Sequence, residues 1–250
     1  YITNDAMANR MYLNQNAGPD GIVFVEQGRI AGAAFDSRGR LQGSMGIAAA
    51  DVNHNRMLDM FVTNYANERN NYFSQVLQTP QPLFNDVSVE MNLATPSVAT
   101  VGWGAQFVDA ELDGDFDLFV ANGHLDEYTG PPEAKQLPQM FENSGRPSFR
   151  SIPTASAFFQ TESFGRAVAT VDWNRDGLPD LCVSRRDAPV ALLTNTSKPQ
   201  GNFVAIELRG VQSSRDAVGA IVEIEAGGKL WTAPLAAGNG FSVSNQRQVM

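Results

Sequence analysis

The chain has 250 residues, 43% of them hydrophobic, which is enough to bury one large core or two smaller ones. Its formal net charge of −9 would repel a phosphate backbone, so nucleic acid is excluded as an expected partner. The single cysteine, Cys182, excludes an internal disulfide and a cysteine-based zinc site, and no apolar run is long enough for a transmembrane helix.

In chain order, Tyr1-Ile2-Thr3-Asn4 comes first, and Met11-Tyr12-Leu13-Asn14 follows as an apolar pair closing on Asn. The segment Asp51–Asp59 then places oxygen-bearing side chains at positions 1, 3, 5 and 9: Asp51, Asn53, Asn55 and Asp59. Behind it, Met60-Phe61-Val62 predicts a short buried strand, and Tyr72-Phe73-Ser74-Gln75 closes on Gln. Asp109–Asp117 repeats the pattern, followed by Leu118-Phe119-Val120 and Met140-Phe141-Glu142-Asn143. Asp172–Asp180 repeats it again, followed by Leu181-Cys182-Val183 and Leu192-Leu193-Thr194-Asn195. The three segments start roughly sixty residues apart. A small residue, Gly46, Gly104 or Ala167, lies five positions before each.

Tyr1-Ile2-Thr3-Asn4 matches Phe61-Val62-Thr63-Asn64, so the chain is expected to open just after a further loop, as an N-terminally truncated fragment. A long period with several short strands and Gly, Pro and Asn turns predicts an all-β protein: β-propeller blades of four-stranded antiparallel sheets over residues 1–200. A β-solenoid would have much shorter coils. From residue 201 the loop pattern stops. Asn202–Leu208 and Ala220–Glu225 alternate as strands do, and Gly227-Gly228 predicts a tight turn into Lys229–Thr232. A separate small β domain is expected over 201–250, cut off at Met250.

Side chains at positions 1, 3 and 5 of a tight loop converge on one point, a backbone carbonyl at 7 adds to them, and a carboxylate at 9 closes the shell. Hard oxygen donors of this kind suit Ca²⁺, which takes six to eight. The expected metal residues are Asp51, Asn53, Asn55, Met57 and Asp59; Asp109, Glu111, Asp113, Asp115 and Asp117; and Asp172, Asn174, Asp176, Leu178 and Asp180. An EF-hand closes with Glu at position 12. Here that position is Val62, Val120 or Val183, inside a strand, so these are β-hairpin loops.

The loops are unequal. The second carries five carboxylates that repel one another without a cation, and Glu111 is longer than position 3 calls for. In the third, Gly177 supplies the positive φ of a sharp turn. In the first, Arg56 replaces that Gly, at a cost of about 1 kcal/mol and with an added positive charge, so weak binding or none is expected. Asp and Asn also build turns without metal. Three segments in register favour ligands in the second and third, and leave the first balanced between ligand and turn.

Other chemistry is sparse. His54 is expected to be a solvated turn residue and His124 a hydrogen-bonded structural one; Cys182 reads as a buried core residue. Core packing is expected for Trp103 and Trp173. No nucleophile elbow or phosphate-binding glycine motif is present, and no catalytic constellation emerges. Asn195-Thr196-Ser197 is a glycosylation sequon.

The loops resemble FG-GAP (VCBS-type) repeats, the calcium-loop blades of integrin-like propellers, and Asp117-Leu118-Phe119-Val120-Ala121-Asn122-Gly123-His124 is similar to their bacterial members. Ser214-Arg215-Asp216-Ala217-Val218-Gly219-Ala220 and Ala237-Gly238-Asn239-Gly240-Phe241 resemble the ASPIC/UnbV domain, found in the cartilage acidic protein group and its bacterial relatives. The resemblance implies an exported Ca²⁺-binding propeller, often seven-bladed, followed by a β domain, and implies no catalytic activity. The expected location is secreted, cell-surface or periplasmic. Two functions stay open. One is an adhesion or assembly module whose partner is a protein or polysaccharide, including assembly with other chains. The other is a domain or subunit of an exported enzyme, whose active site would lie in the propeller channel or in a portion outside this chain. A pocket joining His124, Asp126 and Glu127 would favour the second.

Overall fold

A computed structural model describes residues 1–16, 21–78, 81–125, 133–143, 145, 148–236 and 238–249. Strands β1 (Tyr12–Asn16) and β2 (Ile22–Glu26) pair antiparallel. A second sheet runs in chain order through β3 (Ile47–Ala50), β4 (Asp59–Val62), β5 (Asn71–Leu77) and β6 (Leu83–Asp86). A third repeats it with β7 (Gly102–Val108), β8 (Asp117–Asn122), β9 (Gln139–Glu142) and β10 (Arg150–Ser151), separated from the second by the one-turn α1 (Ala94–Ser97). A fourth holds β11 (Gly165–Val171), β12 (Asp180–Arg185) and β13 (Ala191–Leu193). The hairpin of β14 (Ile221–Ala226) and β15 (Lys229–Pro234) turns on Gly227 and Gly228, both at positive φ, as the sequence predicts. The protein is all-β, with antiparallel sheets of two to four strands, and no described helix is long and apolar enough to cross a membrane.

Strands β4 and β8 are buried along their whole length, unlike the half-exposed strand of a sheet with one wet face. The pleat explains this, because successive side chains enter different cores. From β4, Met60 and Val62 join Met11, Ala31, Phe73 and Phe84, while Phe61 joins Ala48, Tyr72, Phe107 and Phe149. From β8, Leu118 and Val120 enter that same second core, while Phe119 and Ala121 join Val168, Leu181 and Val183. Four sheets are thus stacked with three apolar cores between them.

The small residues ahead of each loop have a steric reason. Strand β3 packs beside β7, and β7 beside β11. A Cβ built on Gly46 would overlap the Trp103 carbonyl oxygen, and one on Gly104 would lie 2.8 Å from the Arg166 carbonyl oxygen and 2.7 Å from Val168 N. In each case the small residue meets backbone directly flanking its counterpart in the next sheet. Hydrogen bonds recur between equivalent residues as well. Thr63 Oγ1 donates to Trp103 O and Thr3 Oγ1 to Met45 O, both at 2.7 Å. Asn64 N donates to Asn70 Oδ1 and Asn4 N to Asn9 Oδ1, both at 2.8 Å. The match between the opening residues and Phe61–Asn64 therefore extends to their bonding.

Three expectations are corrected. Asn202–Leu208 is not a strand: its one ladder contact is the bridge between Ile206 and Val249, and no neighbour pairs along its length. Cys182, paired with Ala169 and Leu192 in a three-stranded sheet, is half-buried rather than in the core. Trp173 is 52% exposed, its indole N–H donating to Thr194 Oγ1, whereas Val52 at the same position of the first loop is buried in a core.

The C-terminal residues reach back to the first strands of the sheets. Ile47 and Gly240 exchange backbone hydrogen bonds, and Asn239 Oδ1 accepts from Ala49 N at 3.0 Å. Gln106 Nε2 donates to Val168 O, Asn239 O and Asn245 Oδ1 at 2.9–3.0 Å, and Asn245 Nδ2 donates back to Gln106 Oε1 at 3.0 Å.

Candidate cation loops

Each candidate loop joins the first two strands of its sheet, and all three share one backbone. Position 4 is left-handed in each, at His54 (φ 57), Leu112 (φ 59) and Arg175 (φ 62). Position 6 is left-handed too, at Arg56 (φ 66), Gly114 (φ 93) and Gly177 (φ 85). Arg56 therefore does occupy the strained conformation expected of it, and the left-handed position 4 is one that the sequence did not announce.

The side chains repeat their roles. At position 1, Asp51, Asp109 and Asp172 each accept through Oδ2 from the N–H of position 6, at 2.9–3.1 Å. Oδ1 of Asp109 and Asp172 accepts from position 5 at 3.0 and 3.1 Å. At position 5, Asn55, Asp113 and Asp176 each accept at 2.9 Å from position 7. At position 9 the aspartates are sealed: Asp59 and Asp180 are 0% exposed and Asp117 is 2%. Their Oδ1 atoms accept from the backbone N–H of Gln75, Asn143 and Asn195 at 2.7–2.8 Å. The residue that closes each apolar pair thus sits where the third strand of the sheet passes the loop's last carboxylate.

Among the described residues, no three His, Cys, Asp or Glu side chains form a preformed metal cluster. The loop oxygens instead hold loop N–H groups, and several expected donors are amides or backbone carbonyls. A carboxylate oxygen with one such bond keeps a second lone pair. The first two loops fit a hard cation, each on one further observation. Asp51 Oδ1 is buried with no hydrogen-bond partner, a costly state for a carboxylate. In the second loop burial, and then neighbouring carboxylates, push Asp109 up to about 6, against the pull of two N–H bonds. Asp117 is pushed up to about 8, chiefly by burial and then by Glu111 and Asp113, and Glu111 is raised by burial and by Asp113 and Glu142. A cation would relieve this repulsion.

Adjacent loops also touch. His54 Nε2 lies 3.2 Å from Asp115 Oδ1, so His54 is paired across to the second loop rather than simply solvated. Asp115 thereby spends a side-chain oxygen on its neighbour, and position 7 is left to contribute its carbonyl, as at Met57 and Leu178. Asn195 Nδ2 donates to Ala110 O and Pro179 O, bonds that a glycan at the sequon would displace.

His124 lies away from the loops. It is buried, accepts from Leu125 N at 2.8 Å through Nδ1, and meets Tyr65 OH at 3.3 Å through Nε2. Arg166 donates to its carbonyl at 2.9 Å and lies over Trp103 at 4.3 Å. Burial, then the Arg166 charge, hold the imidazole below its usual pKa. This is the structural histidine the sequence predicts; Asp126 and Glu127, the rest of the expected pocket, lie outside the described residues. No protein-family model matches the chain, and no curated protein matches it.

Proposed function

We propose that the chain is a Ca²⁺-binding segment of an exported β-propeller of the FG-GAP type, serving as an adhesion or assembly module for a protein or polysaccharide partner. The carrying observation is the threefold loop: the same left-handed positions, the same carboxylate-to-backbone bonds and the same buried aspartate at position 9. Asp109, Asp113 and Asp117, with the carbonyl of Asp115, would hold one ion, and Asp172, Asn174, Asp176 and Asp180, with the carbonyl of Leu178, another. In the first loop, the unpartnered Asp51 Oδ1 favours an ion while Arg56 opposes it. Face-to-face stacking of four-stranded meanders supports the propeller reading. Thermal unfolding across a calcium titration is the test. Calcium should raise Tm by several degrees in the millimolar range, and magnesium should do far less. An unchanged Tm would reduce the loops to turns.

The second loop adds a pH dependence. The folded-state pKa values of Asp109 and Asp117 lie above the unfolded ones. Their contribution to metal-free stability is therefore full below pH about 4 and is lost as pH rises through about 6 and about 8. Calcium requires the deprotonated forms, so binding expels the protons. Apparent calcium affinity should tighten roughly ten-fold or more between pH 6 and pH 8.5, while the metal-free Tm falls over the same interval. Titration calorimetry at both pH values checks this, and a flat affinity would remove the second loop from the site.

A further inference from the structure

Residues beyond 199 sit directly on the candidate loops. Gly177, at position 6 of the third loop, is covered so closely by the Phe203 ring that a Cβ there would overlap it. Gly114, at position 6 of the second loop, lies under Trp231, with the indole Nε1 3.1 Å from where a Cβ would be. The N–H of Asp172, the first residue of the third loop, donates to Gln246 Oε1 at 2.7 Å. The N–H of Gln246 donates in turn to Thr170 O at 3.0 Å, and that of Gln200 to the carbonyl of Glu111 at 2.7 Å. Backbone at positions 1, 3 and 6 of these loops is therefore held by the C-terminal segment, not by the sheets alone.

We propose that Phe203, Trp231 and Gln246 are positioning residues for the loop cations, so that cation binding and docking of the C-terminal segment are thermodynamically linked. This rests on the calcium reading above. Position 6 separates the side chain at position 5 from the carbonyl at position 7, so a ring laid on it restrains the turn that brings both donors to one point. A hydrogen bond to the N–H of position 1 fixes the backbone from which the first carboxylate projects. Repulsion among the carboxylates of the second loop opposes its closure when no cation is bound, and opening of that loop would break its contact with Trp231. Linkage makes the effect reciprocal: what the segment adds to cation affinity, the cation adds to docking. The contacts are peripheral to the apolar cores, since Phe203 is 46% exposed and Trp231 is partly exposed.

The test uses the full chain with Phe203→Ala, Trp231→Ala and Gln246→Ala, and calcium chloride as the probe. Calorimetry should show roughly ten-fold weaker calcium binding in each variant. The Tm in chelator should stay within about 2 °C of the parent, as for a change outside the core. Phe203→Tyr should restore affinity, and Val211→Ala, at a side chain 92% exposed, should leave it unchanged. In the parent, calcium should slow hydrogen exchange at the N–H groups of Gly240, Gln246 and Val249 by roughly ten-fold, in line with reciprocal coupling. Parent protein that binds no calcium would overturn the calcium reading and this inference together. Variants that bind as tightly as the parent, with no calcium effect on exchange near the C-terminus, would overturn the inference alone. Affinity lost only in proportion to a fall in the chelator Tm would also overturn it, since the role would then be general support of the fold.

Discussion

Gly46→Ala is expected to destabilise the chain by about 3 kcal/mol, the upper end of what overpacking costs, and to lower Tm by about 6–12 °C. The added methyl would overlap the Trp103 carbonyl oxygen, which is backbone and has no rotamer to escape into. That oxygen accepts from Thr63 Oγ1, which in turn accepts from Gly46 N at 2.8 Å. Forcing β3 from β7 therefore disturbs both bonds and the core containing Ala48, Phe107 and Leu118. Gly104→Ala should act in the same direction with a smaller effect, because its neighbours are 2.7–2.8 Å away. Gly238→Ala is the control: nothing lies within 4 Å of the new methyl, and Tm should be nearly unchanged. Denaturant melts of the three variants decide the matter. A Gly46→Ala melt indistinguishable from the parent would mean the two sheets do not approach as described.

Asp180 is expected to show the other large effect, in two separable parts. Its oxygens accept from Asn195 N at 2.7 Å and Trp173 N at 3.1 Å, at a site with no solvent exposure. Asp180→Ala strands both donors. At about 1–3 kcal/mol for each unpaired group, the loss is about 2–6 kcal/mol even in chelator. Asp180→Asn keeps one acceptor and the shape, so it should retain most of the metal-free Tm. Both variants should lose the calcium-induced rise contributed by the third loop. Parallel melts with and without calcium separate the strand-locking role from the ligand role. Asp180→Ala with a normal metal-free Tm would contradict the first, and Asp180→Asn with a full calcium response would contradict the second.

What the sequence disclosed was whatever depends on short-range spacing. Oxygen-bearing residues at 1, 3, 5 and 9, then three apolar residues, read correctly as a loop and a strand at all three places, the strand buried throughout in the first two and only in part in the third. The closing Asn or Gln was visible too, but its cause was not. The bond to the aspartate comes from its backbone N–H, which every residue except proline carries. The left-handed position 4 was hidden because His54, Leu112 and Arg175 share no side-chain property. The pairing of His54 with Asp115 needed the loops of adjacent sheets to be side by side. The alternation of Asn202–Leu208 misled, since a strand needs a neighbour as well as a pattern. The docking of Phe203, Trp231 and Gln246 left no periodic signal, because each touches the loops through one contact.

The three cores lying one behind another have a mechanical meaning. The apolar cores join each sheet only to the sheets before and after it, so these joints act as links in series, with residues 239–245 strapped across β3, β7 and β11. In such a chain of contacts stability is approximately a sum of nearest-neighbour terms, and opening starts where a neighbour is thinnest. The second core, with Phe61, Tyr72, Phe107, Leu118, Phe141 and Phe149, holds more large buried side chains than the joint to β11–β13. Pulled or heated, the molecule should part there first and leave the sheets of β3–β6 and β7–β10 clasped together.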